Sequence, residues 1–588
     1  MSILHQRPMG ALLMHSLSRN GANIFCLHLI RGFCAQLQFR VFSPSDGPLR
    51  SDLDALGIHV TVMSDASPAT LEQHLKAADH SFDFAVLNTI MHASAVSVCD
   101  KLCIASLWII HEAWPPAHFD HYARTVFLCN YVDSHRIRSA FASKATLNCI
   151  VFVSKFQQTL YQDLLDSSVQ RMIAYNGIPD NEMLRFQQKN DRALVRESLG
   201  YSPDDFVVLH LGTVCRRKAQ LESVKALAHM QAEQRYHQDF PKLPKLLIVG
   251  CRYIRPHEIE YVEEIKRVIV EHQLEQKVKL LDIQEFVFPY YFAADVLLCP
   301  SLNEVLPIVI CEAMCFGLPI VASNVDAIPE AVDDAVEGFL VPAGDFVAIS
   351  EKLNTLRSDP TLCKRMSSNG RKRFQRQFSF WSMIALYRSQ FQSILSRPLP
   401  HLTILVDLDN TIADWDQQFV IRWLQQHAPA DANEEQEFRN RISKRPHFEL
   451  EQNLEPHQRA DAIRVMQQPG FYRDLQPIEG ALDALREMIQ MGITVKIVTA
   501  PHDSCISSCV SEKFEWVAHH LGNEWLQRVI VSYDKTVVDG DILVDDKPII
   551  TGEATPRWKH VVFTQSYNAS KTDTSRISSW TKWWTMLC

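Results

Sequence analysis

The sequence predicts an α/β protein with parallel sheets, built as more than one domain. Short apolar strand patterns alternate with helical patterns along the 588 residues, and a proline-containing break interrupts them near residue 398. Two of the strand patterns, at residues 404–407 and 542–545, end in acidic residues. A chain of this length is expected to form roughly two to four domains.

The predicted strands are short runs of apolar and β-branched residues, separated by segments long enough for helices. Before the break they comprise residues 11–15, 84–88, 106–111, 149–154, 207–212, 245–250, 278–281, 296–299 and 320–322. Residues 374–395 have the periodicity of an amphipathic helix, and a packed last helix is predicted within residues 576–587.

Composition excludes several classes of protein. With 47% hydrophobic and 22% charged residues the chain is an ordinary globular protein, and its net charge of −9 argues against binding a nucleic-acid polymer. No apolar run approaches the ~20 residues of a membrane helix, so no transmembrane segment is expected. The 15 cysteines are scattered without a C-x-x-C pair, which favours reduced thiols and a cytoplasmic location.

The break itself, SRPLPHLT at residues 396–403, is predicted to be a linker. Pro398 and Pro400 end the preceding helical pattern, and a new strand pattern starts at Ile404. We therefore place a major domain boundary here.

The motif ILVDLDNT at residues 404–411 is the most informative stretch of the chain. Its apolar run ends at Asp407 and Asp409, as expected for a buried parallel strand whose carboxyl end carries a site. The later motif ILVDDK repeats the pattern with Asp545 and Asp546. If these strand ends converge, the four carboxylates Asp407, Asp409, Asp545 and Asp546 form a predicted magnesium site.

Two further residues complete a predicted phosphoryl-transfer site: Thr499 at a third strand end, and Lys535. Asp407 is the predicted nucleophile, and Asp409 the acid and base for leaving group and water. Thr499 and Lys535 are expected to hold phosphoryl oxygens. Taken singly, Asp409 with Asn410 and Thr411 is also explained by a turn or a helix cap, and Lys535 by a solvated lysine. Their joint order along the chain favours the phosphoryl-transfer site.

The order of these motifs resembles the haloacid dehalogenase superfamily. The longer strings VDLDNTIADWDQQF, PGFYRDLQPIEGALDALREM, SEKFEWVAHHLG and DKTVVDGDILVDDKP resemble 5'(3')-deoxyribonucleotidases over residues 402–588. The resemblance implies Mg²⁺-dependent hydrolysis of nucleoside monophosphates under a small helical cap, about residues 416–475. It also implies a nucleoside pocket lined by Trp415, Phe419 and Phe471, whose flat rings suit a base.

Some positions depart from the family's pattern. Ala500 follows Thr499 where the family has a serine, Tyr533 stands where it has an arginine, and Asn410 replaces a common glycine. The residues predicted to perform the chemistry are intact.

A second set of motifs lies in the first part of the chain. The stretch NEVLPIVICEAMCFGLPIVAS contains Glu304 and Glu312 with seven residues between them, which would place both carboxylates on one face of a helix. Pro307 stands where that helix could begin. Such carboxylates can accept hydrogen bonds from sugar and ribose hydroxyls, although surface helices often carry the same spacing.

This stretch, with HSLSRNGAN, LWIIHEAW, IAYNGIP and VVLHLGTVCRRKAQ, resembles family-4-type retaining glycosyltransferases with two Rossmann-like domains, the GT-B fold, over about residues 10–395. The resemblance implies a nucleotide-sugar donor in an interdomain cleft, hexosyl transfer and no metal cofactor. The residues that it implies for the donor site are Gly21, His111, Gly212, Arg217, Lys218, Glu304 and Glu312.

Roles for these residues follow from the resemblance. Arg217 and Lys218 would neutralise the diphosphate, with help from the backbone at Gly21. Glu312 would bind ribose, Glu304 the transferred sugar, and His111 would lie near the donor sugar. The expected domains are then 1–195 and 196–395, both Rossmann-like, a linker at 396–403, and a haloacid-dehalogenase-like domain at 404–588.

The leading hypothesis is a bifunctional enzyme, a glycosyltransferase fused to a magnesium-dependent nucleotidase. The donor sugar, the glycosyl acceptor and the oligomeric state are left open. One alternative keeps only the phosphatase active, with a degenerate transferase-like binding module, because Thr213 and Ala219 differ from the family. A third hypothesis is a phosphatase for another phosphomonoester, such as a sugar phosphate.

Overall fold

The computed structural model describes residues 7–63, 65, 67–78, 81–121, 133–143, 146–236, 242–396, 398–569 and 575–587. Three parallel sheets of seven, six and six strands follow one another along the chain. The α/β class and its parallel sheets are therefore confirmed. Within the described residues, no helix has both the length and the apolar character needed to cross a membrane.

The first sheet has the strand order β3-β2-β1-β4-β5-β6-β7. Its strands are β1 (Met9–Leu13), β2 (Gln38–Ser43), β3 (His59–Val62), β4 (Phe84–Asn88), β5 (Ser106–Ile110), β6 (Leu147–Phe152) and β7 (Gln170–Ile173). Its helices are α1 (Gly21–Phe33), α2 (Arg50–Ala55), α3 (Pro68–Lys76), α4 (Ala93–Leu102), α5 (Phe119–His121), α6 (Ser134–Phe141) and α7 (Lys155–Leu160). The first strand begins two residues earlier than the sequence pattern predicts.

The second sheet has the order β10-β9-β8-β11-β12-β13. Its strands are β8 (Val207–Leu211), β9 (Lys245–Cys251), β10 (Val278–Asp282), β11 (Val296–Cys299), β12 (Ile320–Ser323) and β13 (Gly338–Val341). The accompanying helices are α8 (Asn181–Lys189), α9 (Arg192–Ser198), α10 (Gln220–Tyr236), α11 (Pro256–Glu271), α12 (Phe288–Ala293), α13 (Ile308–Phe316), α14 (Ile328–Ala331), α15 (Phe346–Ser358) and α16 (Pro360–Arg373).

The chain crosses between the first two sheets twice. After β7, helix α8 packs on α12 and α13 of the second layer. The predicted amphipathic helix after Arg373 is a π-helical turn, Phe374–Phe378, followed by α17 (Phe380–Leu395), with Ser379 capping α17. Helix α17 returns to the first sheet and packs on α1.

The third sheet has the order β18-β17-β14-β19-β20-β21. Its strands are β14 (Thr403–Val406), β17 (Thr494–Thr499), β18 (Val529–Val531), β19 (Ile542–Asp545), β20 (Lys559–Phe563) and β21 (Arg576–Ile577), and β15 (Ala413–Asp414) pairs antiparallel with β16 (Gln476–Pro477). The helices are α18 (Trp415–Gln426), α19 (Ala432–Ser443), α20 (Arg459–Met466), α21 (Ala481–Gln490) and α22 (Ile506–His520).

Helices α18 to α20 lie between β15 and β16 in the chain and have their own apolar core, which includes Phe419, Trp423, Phe438 and Phe471. They form a small helical cap beside the third sheet. The last segment is not the predicted α-helix: Trp580–Leu587 forms 3₁₀ turns that break at Lys582. Trp580 and Trp583 in that segment are buried in the core of the third domain.

Candidate active sites

The carboxyl ends of three neighbouring strands meet at the centre of the third sheet. Strand β14 lies between β17 and β19, so the chain leaves β14 at a point where the strand order reverses. Asp407 follows β14, Thr499 ends β17 and Asp545 ends β19. Ligands of open α/β sheets bind in such a crevice.

Three carboxylates converge in this crevice. Oxygen atoms of Asp407, Asp545 and Asp546, all buried, lie within 4.8 Å of one another. Nζ of Lys535 lies 2.6 Å from Oδ1 of Asp407 and 2.6 Å from Oδ2 of Asp545. Burial raises the pKa of Asp407, and Lys535 opposes that rise. The same two carboxylates outweigh the effect of burial on Lys535 and keep its pKa above the ordinary value.

Asp546 is held by groups from two other segments. The hydroxyl of Tyr567 donates to Oδ2 of Asp546, and the amide nitrogen of Asp546 donates to Oγ1 of Thr411 at 3.1 Å. Burial and the neighbouring Asp545 raise the pKa of Asp546 well above its ordinary value. Three buried carboxylates facing one lysine leave excess negative charge, and hard oxygen donors of this kind fit a magnesium ion.

Lys513 on α22 is a site residue that the sequence reasoning missed. Its Nζ lies 2.6 Å from Oδ2 of Asp409, 2.9 Å from Oγ1 of Thr499 and 2.7 Å from the carbonyl oxygen of Ala500. The expectation that the Asp409 carboxylate joins the metal ligands does not match the structure, because that carboxylate is paired with Lys513 and lies outside the three-carboxylate cluster. Burial raises the pKa of Asp409, and Lys513 opposes the rise.

A cavity of about 290 Å³ opens over these groups. Trp415 lines it, as predicted, together with Phe448 and Tyr472 from the cap and the region that follows it. Phe419 and Phe471 differ from their predicted positions, since both are fully buried and do not line the cavity. They support Trp415 instead, with ring centroids 5.6 Å away in a stacked and an edge-on contact respectively.

The cap is fastened to the site by Arg445. Its guanidinium is 3% exposed, donates to Asp416 at 2.9 Å and lies 3.9 Å from the centre of the Tyr567 ring. Tyr567 in turn donates to Asp546. The position of the cap is thus linked through two side chains to the carboxylate cluster.

The departures from the family's pattern have visible structural consequences. Asn410 has a φ of 52°, a left-handed conformation that glycine adopts freely and asparagine tolerates. Its side-chain amide donates to Asp416 at 2.9 Å. Ala500 and Tyr533 both line the cavity, and Tyr533 is 57% exposed. Relative to the family's pattern, Ala500 therefore lacks the serine hydroxyl, and Tyr533 places an aromatic ring where the arginine charge would be.

The second site lies at the carboxyl ends of the second sheet. Arg217 and Lys218 follow β8, and both pair with Glu304: the Arg217 contact is 2.9 Å, and Lys218 donates to the same oxygen, Oε1. Arg217 also donates to the carbonyl oxygen of Asn303 at 2.9 Å. The structure therefore brings these three predicted residues together as one cluster of two cations and a carboxylate.

The turn that carries the cations is conformationally demanding. Ala219 has a φ of 58°, in the left-handed region that glycine adopts more readily than alanine. Gly212 lies at the other end of the turn, and a Cβ placed there would meet Cε of Lys218 at 3.9 Å. Arg216 points away from the cluster, pairing with Glu264 at 2.9 Å and packing on the Tyr261 ring.

Glu304 and Glu312 do not share a helix as predicted. Helix α13 begins at Ile308 after an N-cap at Pro307, so Glu304 lies in the loop before it. Glu312 lies within α13 and accepts a hydrogen bond of 2.6 Å from the hydroxyl of Tyr291. Burial raises the pKa of Glu312 to about 7. Pro307, three positions after Glu304, has an extended backbone and caps the helix, so Glu304 lies outside it.

Gly21 faces the second domain across a cleft. It is the first residue of α1, with Asn20 as the cap, and a Cβ placed on it would lie 3.9 Å from Cδ1 of Ile308. Gly21 and Glu312 line the same interdomain cavity. A further contact across the domains is made by Glu330, which accepts backbone hydrogen bonds from Lys155 at 2.7 Å and Phe156 at 2.6 Å.

His111 follows β5 and lies apart from that cavity's lining. Its Nε2 lies 2.9 Å from Oδ1 of Asn88, and its ring packs edge-on against Phe25 at 5.0 Å. Burial lowers the pKa of His111 to about 3, so the imidazole is neutral. Glu112, the next residue, was not singled out from sequence; it accepts the backbone hydrogen bonds of Ile90 and His111.

Comparison with known proteins identifies the third domain. The family described as "5' nucleotidase, deoxy (Pyrimidine), cytosolic type C protein" matches residues 401–588. The human protein named "5'(3')-deoxyribonucleotidase, cytosolic type" is 36% identical over 197 residues, an alignment that covers 31% of this chain and 90% of that protein.

The family described as "Glycosyl transferases group 1" matches residues 191–373. A protein of Streptomyces bingchenggensis named "D-inositol 3-phosphate glycosyltransferase" is 29% identical over 205 residues, covering 32% of this chain and 41% of that protein. The crystal structure of HepE from Anabaena in complex with UDP superposes with a TM-score of 0.55 at 20% identity, over 66% of this chain and 100% of that one. That superposition shows a shared fold.

Both parts of the chain thus match families of enzymes, and the predicted fusion is confirmed. The chain belongs to the 5'(3')-deoxyribonucleotidase family through residues 401–588, and it joins that domain to a group 1 glycosyltransferase domain within a GT-B fold.

Proposed function

We propose that the third domain hydrolyses nucleoside monophosphates, with Asp407 as nucleophile. The observation that carries this proposal is the position of Asp407 at the centre of the sheet, between Lys535 and the pair Asp545–Asp546. The cavity above it is lined by Trp415 and Tyr472, whose rings suit a nucleobase. The domain's family membership supports the same substrate class.

In the proposed reaction the Asp407 carboxylate attacks phosphorus and the ester P–O bond breaks. The electron pair goes to the nucleoside oxygen, which takes a proton from Asp409. Asp409 then removes a proton from water, and the water oxygen attacks phosphorus to release phosphate and free Asp407. Lys513 and Thr499 lie beside Asp409 and would position it and the phosphoryl group.

Asp407, Asp545 and Asp546 would hold a Mg²⁺ ion. When bound, the ion would offset the negative charge of the phosphoryl oxygens. Lys535, which is hydrogen-bonded to Asp407 and Asp545, would hold phosphoryl oxygens and limit the repulsion between the two carboxylates.

Phosphate release from a panel of phosphomonoesters tests this proposal. Nucleoside monophosphates should be the best substrates, and Asp407→Asn should abolish turnover because it keeps the shape of the side chain but removes the nucleophile. Asp539→Asn, at an exposed aspartate of the same domain, is the matched control. Sugar phosphates that outrun every nucleotide would favour the other phosphatase hypothesis, and substantial activity in Asp407→Asn would reject the nucleophile.

We further propose that the first two domains transfer a hexosyl group from a nucleotide-sugar donor. Arg217 and Lys218, which pair with Glu304, would meet the diphosphate, and Glu304 would contact the transferred sugar. The bond from sugar C1 to the diphosphate oxygen breaks with its electrons on the diphosphate. C1 bonds to the acceptor oxygen, and the acceptor proton passes to the departing diphosphate.

The binding-module alternative is supported by the strained Ala219 in the cation-bearing turn. UDP release from UDP-glucose, chosen because the superposed HepE structure contains UDP, separates the two readings. If the domains are an active transferase, UDP-glucose should be turned over, and Lys218→Ala and Glu304→Ala should abolish that turnover. Lys364→Ala, at an exposed lysine of α16, should leave it unchanged. Equal and negligible turnover in all four proteins would favour a binding module.

We infer a cytoplasmic location, because the scattered cysteines suit a reducing compartment. Fractionation of the source cells would test this inference, and recovery from an extracytoplasmic fraction would reject it.

A further inference from the structure

In the nucleotidase-type third domain, a short segment of the cap lies directly on the core. This segment, residues 445–448, follows helix α19. The carbonyl oxygen of Arg445 accepts a hydrogen bond of 2.9 Å from Oγ of Ser566. The Phe448 ring packs edge-on against the Tyr567 ring, with centroids 5.6 Å apart. Ser566 and Tyr567 follow β20 of the third sheet, so the segment joins the cap to the core.

The guanidinium of Arg445 is the centre of this joint. Its Nε and Nη2 donate to the two carboxylate oxygens of Asp416 at 2.9 and 3.1 Å. Its Nη1 donates to the carbonyl oxygen of His447 at 2.7 Å and to that of Phe448. The Cζ atom lies 3.9 Å from the centre of the Tyr567 ring. Because these donors form a planar fork, their partners fix the plane that faces this ring.

Asp416 also connects the cap to the loop that carries Asp409. The side-chain amide of Asn410 donates to Oδ1 of Asp416 at 2.9 Å, and the backbone nitrogen of Asp416 donates to Oδ1 of Asn410 at 3.0 Å. Nε2 of Gln565 donates to the carbonyl oxygen of Asn410 at 2.7 Å. The loop is therefore held by the start of the cap and by the segment that carries Tyr567.

The contacts that start at the cap end at Asp546, one of the three clustered carboxylates. The hydroxyl of Tyr567 donates to Oδ2 of Asp546, and Nδ2 of Asn568 donates to its carbonyl oxygen at 2.7 Å. Tyr567 and Asn568 are both buried. A hydrogen bond to one carboxylate oxygen orients the group and leaves the other oxygen for a cation. Outer contacts of this kind commonly change metal affinity by about 10- to 100-fold.

We propose that Arg445 and Tyr567 are positioning residues that couple magnesium binding at Asp546 to the docking of the cap on the core. Arg445 holds the Tyr567 ring, and Tyr567 orients the carboxylate, so both act through Asp546. Such coupling is reciprocal: docking of the cap strengthens Mg²⁺ binding by the same factor by which Mg²⁺ favours docking. The inference rests on the proposed magnesium-dependent hydrolysis, but the coupling is measurable without substrate.

Amide hydrogen exchange of the full chain, with and without saturating Mg²⁺, measures the docking of the cap. We expect Mg²⁺ to slow exchange in α18 to α20 by about tenfold in the wild type and to have no effect there in Tyr567→Phe. This variant is chosen because it keeps the ring that packs on Arg445 and Phe448 and removes only the hydroxyl. It therefore tests the coupling even if larger changes at Arg445 unfold the cap.

Calorimetric titration with Mg²⁺ measures the other side of the coupling. Arg445→Met and Tyr567→Phe should each weaken Mg²⁺ binding by about tenfold, and the double variant no further, because both break one connection. Arg445→Lys keeps a charge opposite Asp416 but loses the planar fork, so it should recover thermal stability and not Mg²⁺ affinity. Lys444→Met, at the neighbouring exposed lysine, should match the wild type in both measurements.

Equal Mg²⁺ affinity in the wild type and Tyr567→Phe would overturn the coupling, as would additive losses in the double variant. Cap exchange that ignores Mg²⁺ in a wild type that binds it would do the same. With nucleotide hydrolysis intact, these results would leave the proposed function standing. Coupled Mg²⁺ binding in a chain that hydrolyses no nucleoside monophosphate would instead support the coupling and reject that function. A chain that binds no Mg²⁺ would reject both.

Discussion

Lys513→Met should both destabilise the nucleotidase-type domain and impair its activity. The substitution keeps a long unbranched side chain but removes the ammonium group that lies 2.6 Å from Oδ2 of Asp409. It also removes the hydrogen bonds from Nζ to Thr499 and to the carbonyl oxygen of Ala500. The Asp409 carboxylate then stands in the site without its ion-pair partner.

The size of the stability loss depends on how far water can hydrate the Asp409 carboxylate in place of Lys513. Removing one member of a fully buried ion pair costs about 3–5 kcal/mol of stability. The side chain of Lys513 is 1% exposed, but that of Asp409 is 29% exposed toward the cavity, so partial hydration reduces the loss. We expect about 2–3 kcal/mol, which lowers the thermal midpoint of a domain of this size by roughly 5–10 °C.

Scanning calorimetry on the wild type, Lys513→Met, Asp409→Asn and the double variant tests this account. The double variant should be more stable than Lys513→Met, because it no longer contains an unpaired charge. Phosphatase kcat/KM should fall about 10²-fold or more in Lys513→Met, since the acid and base is no longer positioned. Lys444→Met, at an exposed lysine of the cap, should match the wild type. A double variant less stable than Lys513→Met would refute the ion-pair reasoning.

Three further predictions concern single contacts. Tyr567→Phe removes the donor to Asp546, so the apparent Mg²⁺ affinity of the phosphatase should fall about tenfold or more in a Mg²⁺ titration; an unchanged titration would show that the hydroxyl is irrelevant. Glu312 keeps its proton in the folded chain up to about pH 7 while the unfolded chain ionises at its lower ordinary pKa, so stability falls as pH rises between the two values. Glu312→Gln should therefore raise the thermal midpoint at about pH 8 and not at about pH 4, and a pH-independent effect would contradict this assignment. Ala219→Gly relieves a φ of 58° and should stabilise the transferase part by about 0.5–1 kcal/mol in thermal unfolding, whereas a loss of stability would mean that the buried methyl group matters more.

The central elements of the fold and most of the nucleotidase site could be predicted because their signals are local. In β14 and β19, apolar residues run directly into Asp407 and Asp545, so the strand and its acidic end are adjacent in the sequence. Parallel strands end at the same edge of a sheet, and this brings distant acids together without further information. Ala219 and Asn410 were recognised as departures from their families' patterns, but their left-handed backbone became visible only in the structure.

Lys513 was missed because its partner Asp409 lies 104 residues earlier in the chain. A signal was nevertheless present. On α22 the buried positions are Cys509, Glu512, Lys513, Trp516 and Val517, so two charged residues occupy the apolar stripe of an amphipathic helix. Charged side chains are rarely buried unless they are paired, and that exception in the stripe could have identified the residue.

Sequence reasoning could not find two other features, for a different reason. These are the buried positions of Phe419 and Phe471 and the contact between Trp584 and Arg31. An aromatic residue on a helix packs equally well in a core or against a ligand, and periodicity does not distinguish the two. Trp584 lies near the end of the chain and faces Arg31 of the first helix. Such contacts depend on how complete domains dock, for which the local pattern carries no signal.

If one chain carries two separate catalytic centres, both activities measured in the same two variants should separate. Asp407→Asn should lose nucleoside monophosphate hydrolysis and keep UDP release from UDP-glucose, while Lys218→Ala should show the reverse. Phosphate release that survives in Asp407→Asn, or a wild-type chain that hydrolyses nucleotides but never turns over UDP-glucose, would contradict the presence of two such centres.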